Sequence, residues 1–387
     1  MCRSQKHGIR IILDGVFSHT GSDSLYFNRE GRYGPGGAYR DRNSPYRSWY
    51  DFDSGYVGGY RSWWGFETLP EVEEEDPSYG NFVCGKGGVI DTWLGLGASG
   101  FRLDVADELP DDFIEKIRAA VKAHGEDKLL IGEVWEDATT KVAYSQRRRY
   151  LLGHELHGVM NYPFRTALIA YLRGGDADDF RETLETLREN YPPEAFLSLM
   201  NFLGTHDTPR ILTVLGADNV PDNKADRAAY RLSPAQRQIG LERLRLAALI
   251  LFTFPGAPTV YYGDEAAMEG WEEPFNRAGY PWEQEDTDLK AHFAELARFR
   301  RSFPALQAGV LHWIWTSGPL LIFARELDGQ LLTTVVNAAD VSQALSLPWS
   351  APPARDLLTS QRFIPTDNAI PLTLPPRSGL LLQTDLP

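Results

Sequence analysis

Apolar runs that end at a polar or acidic residue recur along this chain. The first is residues 9–14, IRIILD, and such runs suit a strand buried on both faces of a parallel sheet. The later ones stand before Asp104, Glu133, Asn161 and Asp207, with a further run at 258–262. Apolar residues at helical spacing lie between them, at 111–121, 235–252 and 289–303. The alternation of strands and helices predicts an α/β barrel.

Two regions break this alternation. Residues 20–80 are rich in Gly, Tyr, Trp and Arg and show no clear periodicity. A loop of that length inside a compact domain is usually functional. After residue 306 the pattern changes to alternating, β-branched stretches, which predict a small antiparallel β-sandwich.

Composition and charge exclude several classes of partner. The formal net charge of −14 argues against nucleic acid, which needs clustered Lys and Arg. No apolar run is long enough for a membrane span, and residues 1–8 show no signal peptide, so we expect a cytoplasmic protein. Cys2 and Cys84 alone cannot form a disulfide framework. The 10 Trp and 17 Tyr suit sugar rings as well as cores.

Four short motifs place carboxylates or histidines at strand ends. They are ILDGVFSHTG (12–21), GFRLDVADEL (100–109), LIGEVWEDA (130–138) and NFLGTHDTPR (201–210). In a parallel barrel, catalytic groups sit at the C-terminal ends of the strands. In order and content these motifs resemble those of the α-amylase family of retaining glycoside hydrolases, and the resemblance covers nearly the whole chain.

Hydrolysis with retention needs one carboxyl group as nucleophile and a second as proton donor. The resemblance implies Asp104 as nucleophile, Glu133 as general acid and Asp207 as a third carboxylate that favours the transition state. Arg102 shares a strand face with Asp104, and an adjacent guanidinium keeps a nucleophilic carboxylate ionised. The apolar and aromatic neighbours of Glu133 favour a protonated carboxyl. Without the motifs, Asp104 is as well explained as a turn cap, Glu133 as the start of a helix, and His206 as a structural histidine.

The resemblance also implies a set of sugar-binding residues. They are Asp14, His19, Arg102, Glu108, Trp135, His206 and Arg210. Within this set, Asp14 orients Arg102 and His19 touches the sugar. Trp63 and Trp64 are candidate stacking platforms, although either one is as readily a core residue.

The sequence gives little indication of a metal site. Many family members carry Asn before the first-motif histidine, where it supports calcium, and this chain carries Ser18. The acidic run 71–76 is typical of a solvated surface. HELH at 154–157 lacks the i, i+4 histidine pair of a zinc site. We therefore expect no metal ligands and no required cofactor, with calcium an alternative that Ser18 weighs against.

The resemblance sets the expected architecture. It implies a TIM (β/α)8-type barrel at 1–306, with a loop subdomain at 20–80 after strand three and a C-terminal antiparallel β-sandwich domain at 307–387. The first motif belongs at the end of the third strand, so we expect this barrel to be missing its first two strands. An open barrel exposes unpaired strand edges.

Two further stretches narrow the branch of the family. VMNYPF (159–164) and the run 261–282 resemble neopullulanases, cyclomaltodextrinases and maltogenic amylases. We expect a retaining α-glycosidase that acts on α-1,4 bonds in maltooligosaccharides, cyclodextrins or pullulan. Cleavage of α-1,6 bonds in these substrates is a further alternative. The alternatives are a transglycosylase or isomerase on the same site, or an inactive truncated homologue. A homodimer is one alternative for the oligomeric state of the full-length enzyme.

Overall fold

The computed structural model describes residues 2–143 and 145–384 and leaves out the side chain of Cys2. The described chain forms two compact units, Met1–Met160 and Asn161–Pro387. Both units contain parallel strands and helices, and the second also contains the C-terminal sheets.

The first unit contains four helices and six strands among its described residues. The helices are α1 (Cys2–Gln5), α2 (Pro77–Cys84), α3 (Val89–Gly95) and α4 (Asp111–Lys122). The strands are β1 (Ile12–Gly15), β2 (Gly100–Leu103), β3 (Leu129–Gly132), β4 (Val142–Ala143), β5 (Gln146–Arg147) and β6 (Gly158–Val159).

The second unit contains the remaining elements. Its helices are α5 (Tyr162–Leu172), α6 (Ala177–Asn190), α7 (Pro193–Leu197), α8 (Ile211–Gly216), α9 (Lys224–Ala229), α10 (Pro234–Thr253), α11 (Thr287–Ser302) and α12 (Pro304–Ala308). Its strands are β7 (Met200–Phe202), β8 (Ala257–Thr259), β9 (Val310–Ser317), β10 (Leu320–Leu327), β11 (Gln330–Asn337), β12 (Gln343–Pro348), β13 (Ala354–Asp356), β14 (Arg362–Phe363), β15 (Ala369–Leu374) and β16 (Ser378–Thr384).

The first unit is built on a parallel sheet of order β1-β2-β3-β6. Helices α2 to α4 lie between its strands in sequence, as parallel connections require. Helix α4 shows how the local pattern produces this packing. Its acids Asp111 and Asp112 occupy the first turn, where they complement the helix dipole, while Phe113, Ile117 and Val121 bury one face.

Strand β1 departs from the expected burial. We predicted that the run 9–14 is buried on both faces, but Ile9 is 56% exposed and Ile12 is 39% exposed. The strand pairs only with β2 among the described residues and forms the edge of its sheet. An edge strand leaves side chains uncovered that a central strand would bury, so the prediction is wrong for β1. The two strands expected before it stay a prediction.

The predicted loop after β1 is irregular but well packed. Besides the start of α2, it contains three 3-10 helices, at Arg47–Trp49, Val57–Gly59 and Trp63–Gly65. Aromatic rings form its core, with Phe27 fully buried and its ring centroid 4.6 Å from that of Tyr60. Tilted and edge-to-face aromatic contacts of this kind stabilise a segment that lacks regular hydrogen bonding. Its status as a separate subdomain stays a prediction.

The C-terminal residues form two antiparallel sheets, of order β14-β13-β16-β11-β10-β9 and β12-β15. Their facing side chains share one apolar core that includes Ile322, Val335, Leu347 and Leu372. This arrangement is that of a β-sandwich, in which two sheets bury a common layer. The antiparallel region predicted after residue 306 begins at Val310, while the domain boundary at 306 stays a prediction.

No helix within the described ranges combines the length and the apolar character that crossing a membrane requires.

Candidate active site

A single guanidinium joins three carboxylates in the first unit. Arg102 Nη1 donates to Asp14 Oδ1 at 2.7 Å and to Asp104 Oδ1 at 2.6 Å. Arg102 Nη2 forms an ion pair with Glu133 Oε2 at 2.8 Å. The structure therefore brings these four predicted residues of the first unit into one cluster.

The strand register explains why they meet. Asp14 and Arg102 are register partners on β1 and β2. Asp104 and Glu133 each follow the last residue of a strand, and those last residues, Leu103 and Gly132, are themselves paired. Because parallel strands end at the same sheet edge, residues that follow the paired ends must lie side by side.

The charges in this cluster are tightly coupled. Burial disfavours the charged guanidinium of Arg102, but the neighbouring Glu133, Asp14 and Asp104 outweigh burial and raise its pKa. Arg102 therefore stays cationic at any pH at which the protein is folded. Three carboxylates against one fixed cation leave the cluster with excess negative charge.

Glu133 is held by its surroundings on both carboxyl oxygens. Its side chain is only 4% exposed. The backbone N–H of Val105 donates to Oε2 at 2.9 Å, and Trp135 Nε1 donates to Oε1 at 3.2 Å. Val105 has φ of +39°, a left-handed conformation that is strained for a β-branched residue and is typical of functional sites.

His19 lies beside this cluster, where its burial favours the neutral imidazole. Its Nδ1 is 2.9 Å from Ser18 Oγ, and its ring centroid is 5.3 Å from that of Trp63. Burial lowers the pKa of His19, although Asp104 and Glu108 act against this effect. A neutral ring can donate one hydrogen bond and accept one, which suits contact with sugar hydroxyl groups.

Glu108 contacts two indoles in the structure. Its Oε2 accepts from Trp63 Nε1 at 2.6 Å, and its Oε1 accepts from Trp64 Nε1 at 2.8 Å. Trp64 is 77% exposed and has φ of +50°. The sequence suggested Glu108 and the two tryptophans as separate candidates, but no motif or periodicity indicated that the carboxylate orients the rings.

The second unit holds the third predicted acid. Asp207 Oδ2 lies 3.2 Å from His206 Nε2, and Asp207 Oδ1 lies 3.3 Å from Arg277 Nη2. Arg277 Nε also donates to the carbonyl oxygen of His206 at 3.0 Å. Sequence reasoning did not single out Arg277, which lies 70 residues further along the chain in the run 261–282.

Arg210 differs from the other predicted sugar contacts because it is fully buried. Its guanidinium lies 3.3 Å from Asp264 Oδ1, donates to the carbonyl oxygen of Tyr262, and stacks 4.2 Å from the ring centroid of Tyr261. Burial raises the pKa of Asp264 to about 7, against the opposing charge of Arg210. In this structure Arg210 supports the loop after β8, and no part of it is presented to solvent.

The residues that calcium would need do not fit a cation. Ser18 Oγ is engaged with His19, and Arg61 pairs with Glu71 at 3.4 Å and with Glu73 at 2.9 Å. Arg61 thus already pairs with two of the acids that a cation would otherwise bind. Within the described residues, no three His, Cys, Asp or Glu side chains are grouped so that they could hold a metal ion.

Carboxylates at the ends of parallel strands, gathered round one arginine, define an α/β enzyme with an acidic polar site. Residues 1–302 match the family described as "Alpha amylase, catalytic domain". The chain therefore belongs to the α-amylase family of glycoside hydrolases.

Several named proteins are similar to this chain. An amylopullulanase of Thermoanaerobacter thermohydrosulfuricus is 35% identical over 354 residues, which cover 83% of this chain and 23% of that protein. Neopullulanase 2 of Thermoactinomyces vulgaris is 29% identical over 395 residues, covering 98% of this chain and 60% of that protein. The chain thus spans about a quarter of this amylopullulanase and less than two thirds of the neopullulanase.

Solved structures show the same fold. Ttha1563 from Thermus thermophilus has a TM-score of 0.81 at 31% identity, covering 99% of this chain and 78% of that one. An acarbose-soaked debranching enzyme of Nostoc punctiforme has a TM-score of 0.77 at 27% identity, covering 98% and 77%. These relatives assign the chain to the TIM-barrel fold with a C-terminal β-sheet domain.

Proposed function

We propose that this protein is a retaining α-glycosidase that cleaves α-1,4 bonds, and also α-1,6 bonds, in short α-glucans. The observation that supports this proposal is the cluster in which Arg102 pairs with both Asp104 and Glu133. Two carboxyl groups on one polar cluster are what a double-displacement reaction requires. The amylopullulanase and neopullulanase described above, together with a further relative named cyclomaltodextrinase, support maltooligosaccharides, cyclodextrins or pullulan as substrates.

In the proposed reaction, Asp104 attacks the anomeric carbon while Glu133 protonates the departing glycosidic oxygen. The resulting glycosyl ester is then attacked by water, which loses its proton to Glu133, and Asp104 is released. The proton on Glu133 belongs on Oε1, because Oε2 accepts from Val105 and pairs with Arg102. The 3.2 Å contact with Trp135 is the weaker restraint. The roles of Asp207 in favouring the transition state and of His206 in binding sugar stay predictions.

The aromatic surface beside His19 supports a glucan as substrate. Trp63 packs against His19 and Trp64, and Trp64 is strongly exposed, so its indole is available to stack on the apolar face of a pyranose ring. The exposed Trp64 also favours transglycosylation as a second activity, since a sugar that rests there is available as acceptor in place of water.

The test measures activity and anomeric outcome together. Asp104→Asn and Glu133→Gln should each lower kcat on maltotriose by a factor of about 1,000 or more, because these residues act as a unit. Glu126→Gln is the matched control, since Glu126 is a solvated acid of the same unit with a 93% exposed side chain. Full turnover in either active-site variant would remove that residue from its role.

The same reaction, followed by NMR, tests retention. The first sugar released from an α-glucan should be the α-anomer, and a β-anomer would overturn the retaining assignment. Longer glucans among the early products of maltotriose would show transglycosylation, whereas glucose and maltose alone would show hydrolysis.

A further inference from the structure

Arg148 is a buried arginine outside the four motifs. Its side chain is 1% exposed. Its Nε donates to Asp111 Oδ1 at 2.5 Å, its Nη1 donates to the carbonyl oxygen of Asp107 at 3.0 Å, and its Nη2 donates to that of Leu109. These acceptors all belong to the segment 107–111, which begins three residues after Asp104. A buried guanidinium needs such partners, and their removal leaves unpaired groups behind.

Arg148 itself belongs to the segment that follows Glu133. Its backbone N–H donates to the carbonyl oxygen of Lys141 at 2.9 Å. Lys141 Nζ in turn lies 2.9 Å from Asp107 Oδ2 and 2.8 Å from Glu136 Oε2. Arg148 and Lys141 therefore both fasten the segment 134–157 to the segment that follows Asp104.

The segment that follows Asp104 includes the turn 105–109, whose backbone N–H groups contact Glu133. The N–H of Ala106 donates to the backbone oxygen of Glu133 at 3.1 Å, and the N–H of Val105 donates to its side chain. Val105 sits in the strained left-handed region. A residue strained in this way persists only where its surroundings over-determine it.

We propose that Arg148 is a positioning residue for the general acid Glu133, acting through the turn 105–109. By holding the carbonyl oxygens of Asp107 and Leu109, it keeps the Val105 N–H aimed at Glu133 Oε2. This inference rests on the proposed function for its kinetic consequence, but the contact it explains is independent of the substrate.

The test replaces Arg148 by Met, which keeps the length and removes the charge. We expect kcat on maltotriose to fall about 10- to 100-fold with KM changed about threefold at most, because a small misplacement of a catalytic group costs rate more than binding. The alkaline limb of the kcat–pH profile should move to higher pH, because ionised Glu133 has lost an N–H donor. Arg148→Lys should show the smaller loss of the two.

Arg149→Met is the matched control. Arg149 is the next residue, is half exposed, and pairs with Asp111 and Asp112 rather than with the turn carbonyls. Its replacement should leave the pH profile as in the wild type. If Arg148→Met does not fold, Lys141→Met removes the second cation and should produce the same shift of the profile on a smaller scale.

An unchanged kcat and pH profile in folded Arg148→Met, with only a lower melting temperature, would reduce Arg148 to a structural role. A readout without substrate separates this outcome from failure of the proposed function. For the wild type and for Arg148→Met, subtracting the fluorescence of the corresponding Trp135→Phe variant isolates the emission of Trp135. Because Trp135 donates to Glu133, the pH dependence of that emission reports the ionisation of Glu133. If the wild type cleaves no α-glucan, the proposed function fails. If the fluorescence titration of Glu133 is the same in Arg148→Met as in the wild type, the positioning role of Arg148 is wrong, whatever the substrate.

Discussion

At the scale of single residues, Glu108 shows how one carboxylate can orient two aromatic rings. Each of its oxygens accepts one indole N–H, so the planes of Trp63 and Trp64 are fixed relative to each other. Charge-assisted hydrogen bonds of this kind are stronger than neutral ones. They also help to hold Trp64 at its positive φ, where a non-glycine residue is disfavoured.

Glu108→Gln should therefore loosen the aromatic wall. The amide of Gln has a single acceptor oxygen, so its NH2 group faces one of the indole N–H donors. We expect KM for maltotriose to rise about fivefold, the equivalent of one unmade hydrogen bond of about 1 kcal/mol, with a smaller effect on kcat. Steady-state kinetics beside Glu126→Gln measure this change.

Trp64→Ala should raise KM in the same direction. If Trp64→Ala does so and Glu108→Gln does not, the ring keeps its orientation without the carboxylate, and the orienting role of Glu108 is wrong.

Local pattern predicted much of this site and missed its supports for a physical reason. Asp104 and Glu133 were predictable because apolar strands end just before them, and Arg102 because it shares a strand face with Asp104, whereas Asp14 came from the resemblance alone. The contact between Glu108 and Trp64 joins residues 44 apart, and one partner lies in irregular chain. No periodicity encodes such a contact, so only the folded structure reveals it.

At the scale of elements, α10 is the longest described helix of the second unit. We predicted a buried helix at 235–252, and the structure has α10 at Pro234–Thr253. Ser233 accepts from the Gln236 N–H while the Gln236 side chain accepts from the Ser233 N–H, which forms a complete capping box. Pro234 at the first helical position adds a fixed φ where no N–H is needed.

Ser233→Ala should lower the stability of this unit. Loss of an N-cap costs about 0.5–2 kcal/mol, since a helix N–H loses its acceptor. We expect a fall in melting temperature of about 2–4 °C per kcal/mol, measurable by calorimetry. Ser233→Asp, which retains an acceptor oxygen, should melt close to the wild type. Equal losses in both variants would show that the cap is not the cause.

Elements with a strong internal period were predictable, whereas β1 was not. The pattern at 111–121 corresponds to α4, and that at 289–303 to α11. The run 9–14 has the same apolar character as a central strand, but its burial depends on neighbours. Tertiary context decides whether an apolar strand is covered, and the sequence of the strand alone does not contain it.

At the scale of the whole molecule, buried acids shape the dependence of stability on pH. Glu155 is fully buried, and neither of its carboxyl oxygens has a hydrogen-bond partner among the described protein groups. Burial and the nearby Asp111 raise the pKa of Glu155 to about 7, against Arg148 and Arg149. The folded state thus holds this proton more tightly than the unfolded chain, whose ordinary value is 4.5. The contribution of Glu155 to stability is fullest below pH 4.5 and is lost as pH rises to about 7.

Glu155→Gln should therefore gain on the wild type as pH rises. Gln carries no charge at any pH, so its melting temperature relative to the wild type should be higher at pH 8 than at pH 5. Thermal unfolding at both pH values, with Glu126→Gln as reference, measures the difference. A difference of the opposite sign would show that Glu155 is ionised in the folded protein at low pH.

Chelation is the second test at this scale. Because Arg61 already pairs with both Glu71 and Glu73, treatment with EDTA should change neither the melting temperature nor the kcat. A drop in melting temperature that calcium reverses would show that these acids, or others, do hold a structural cation.

The excess negative charge around Arg102 has a consequence for inhibitors. With Asp14 and Asp104 ionised, the cluster stays anionic even when Glu133 carries its proton. A sugar mimic with a protonated amine at or beside the anomeric position brings the charge that this cluster lacks, and a neutral sugar of the same shape does not. Amine-bearing mimics should therefore bind more tightly than their hydroxyl counterparts. That advantage should shrink in concentrated salt and disappear once the amine is deprotonated.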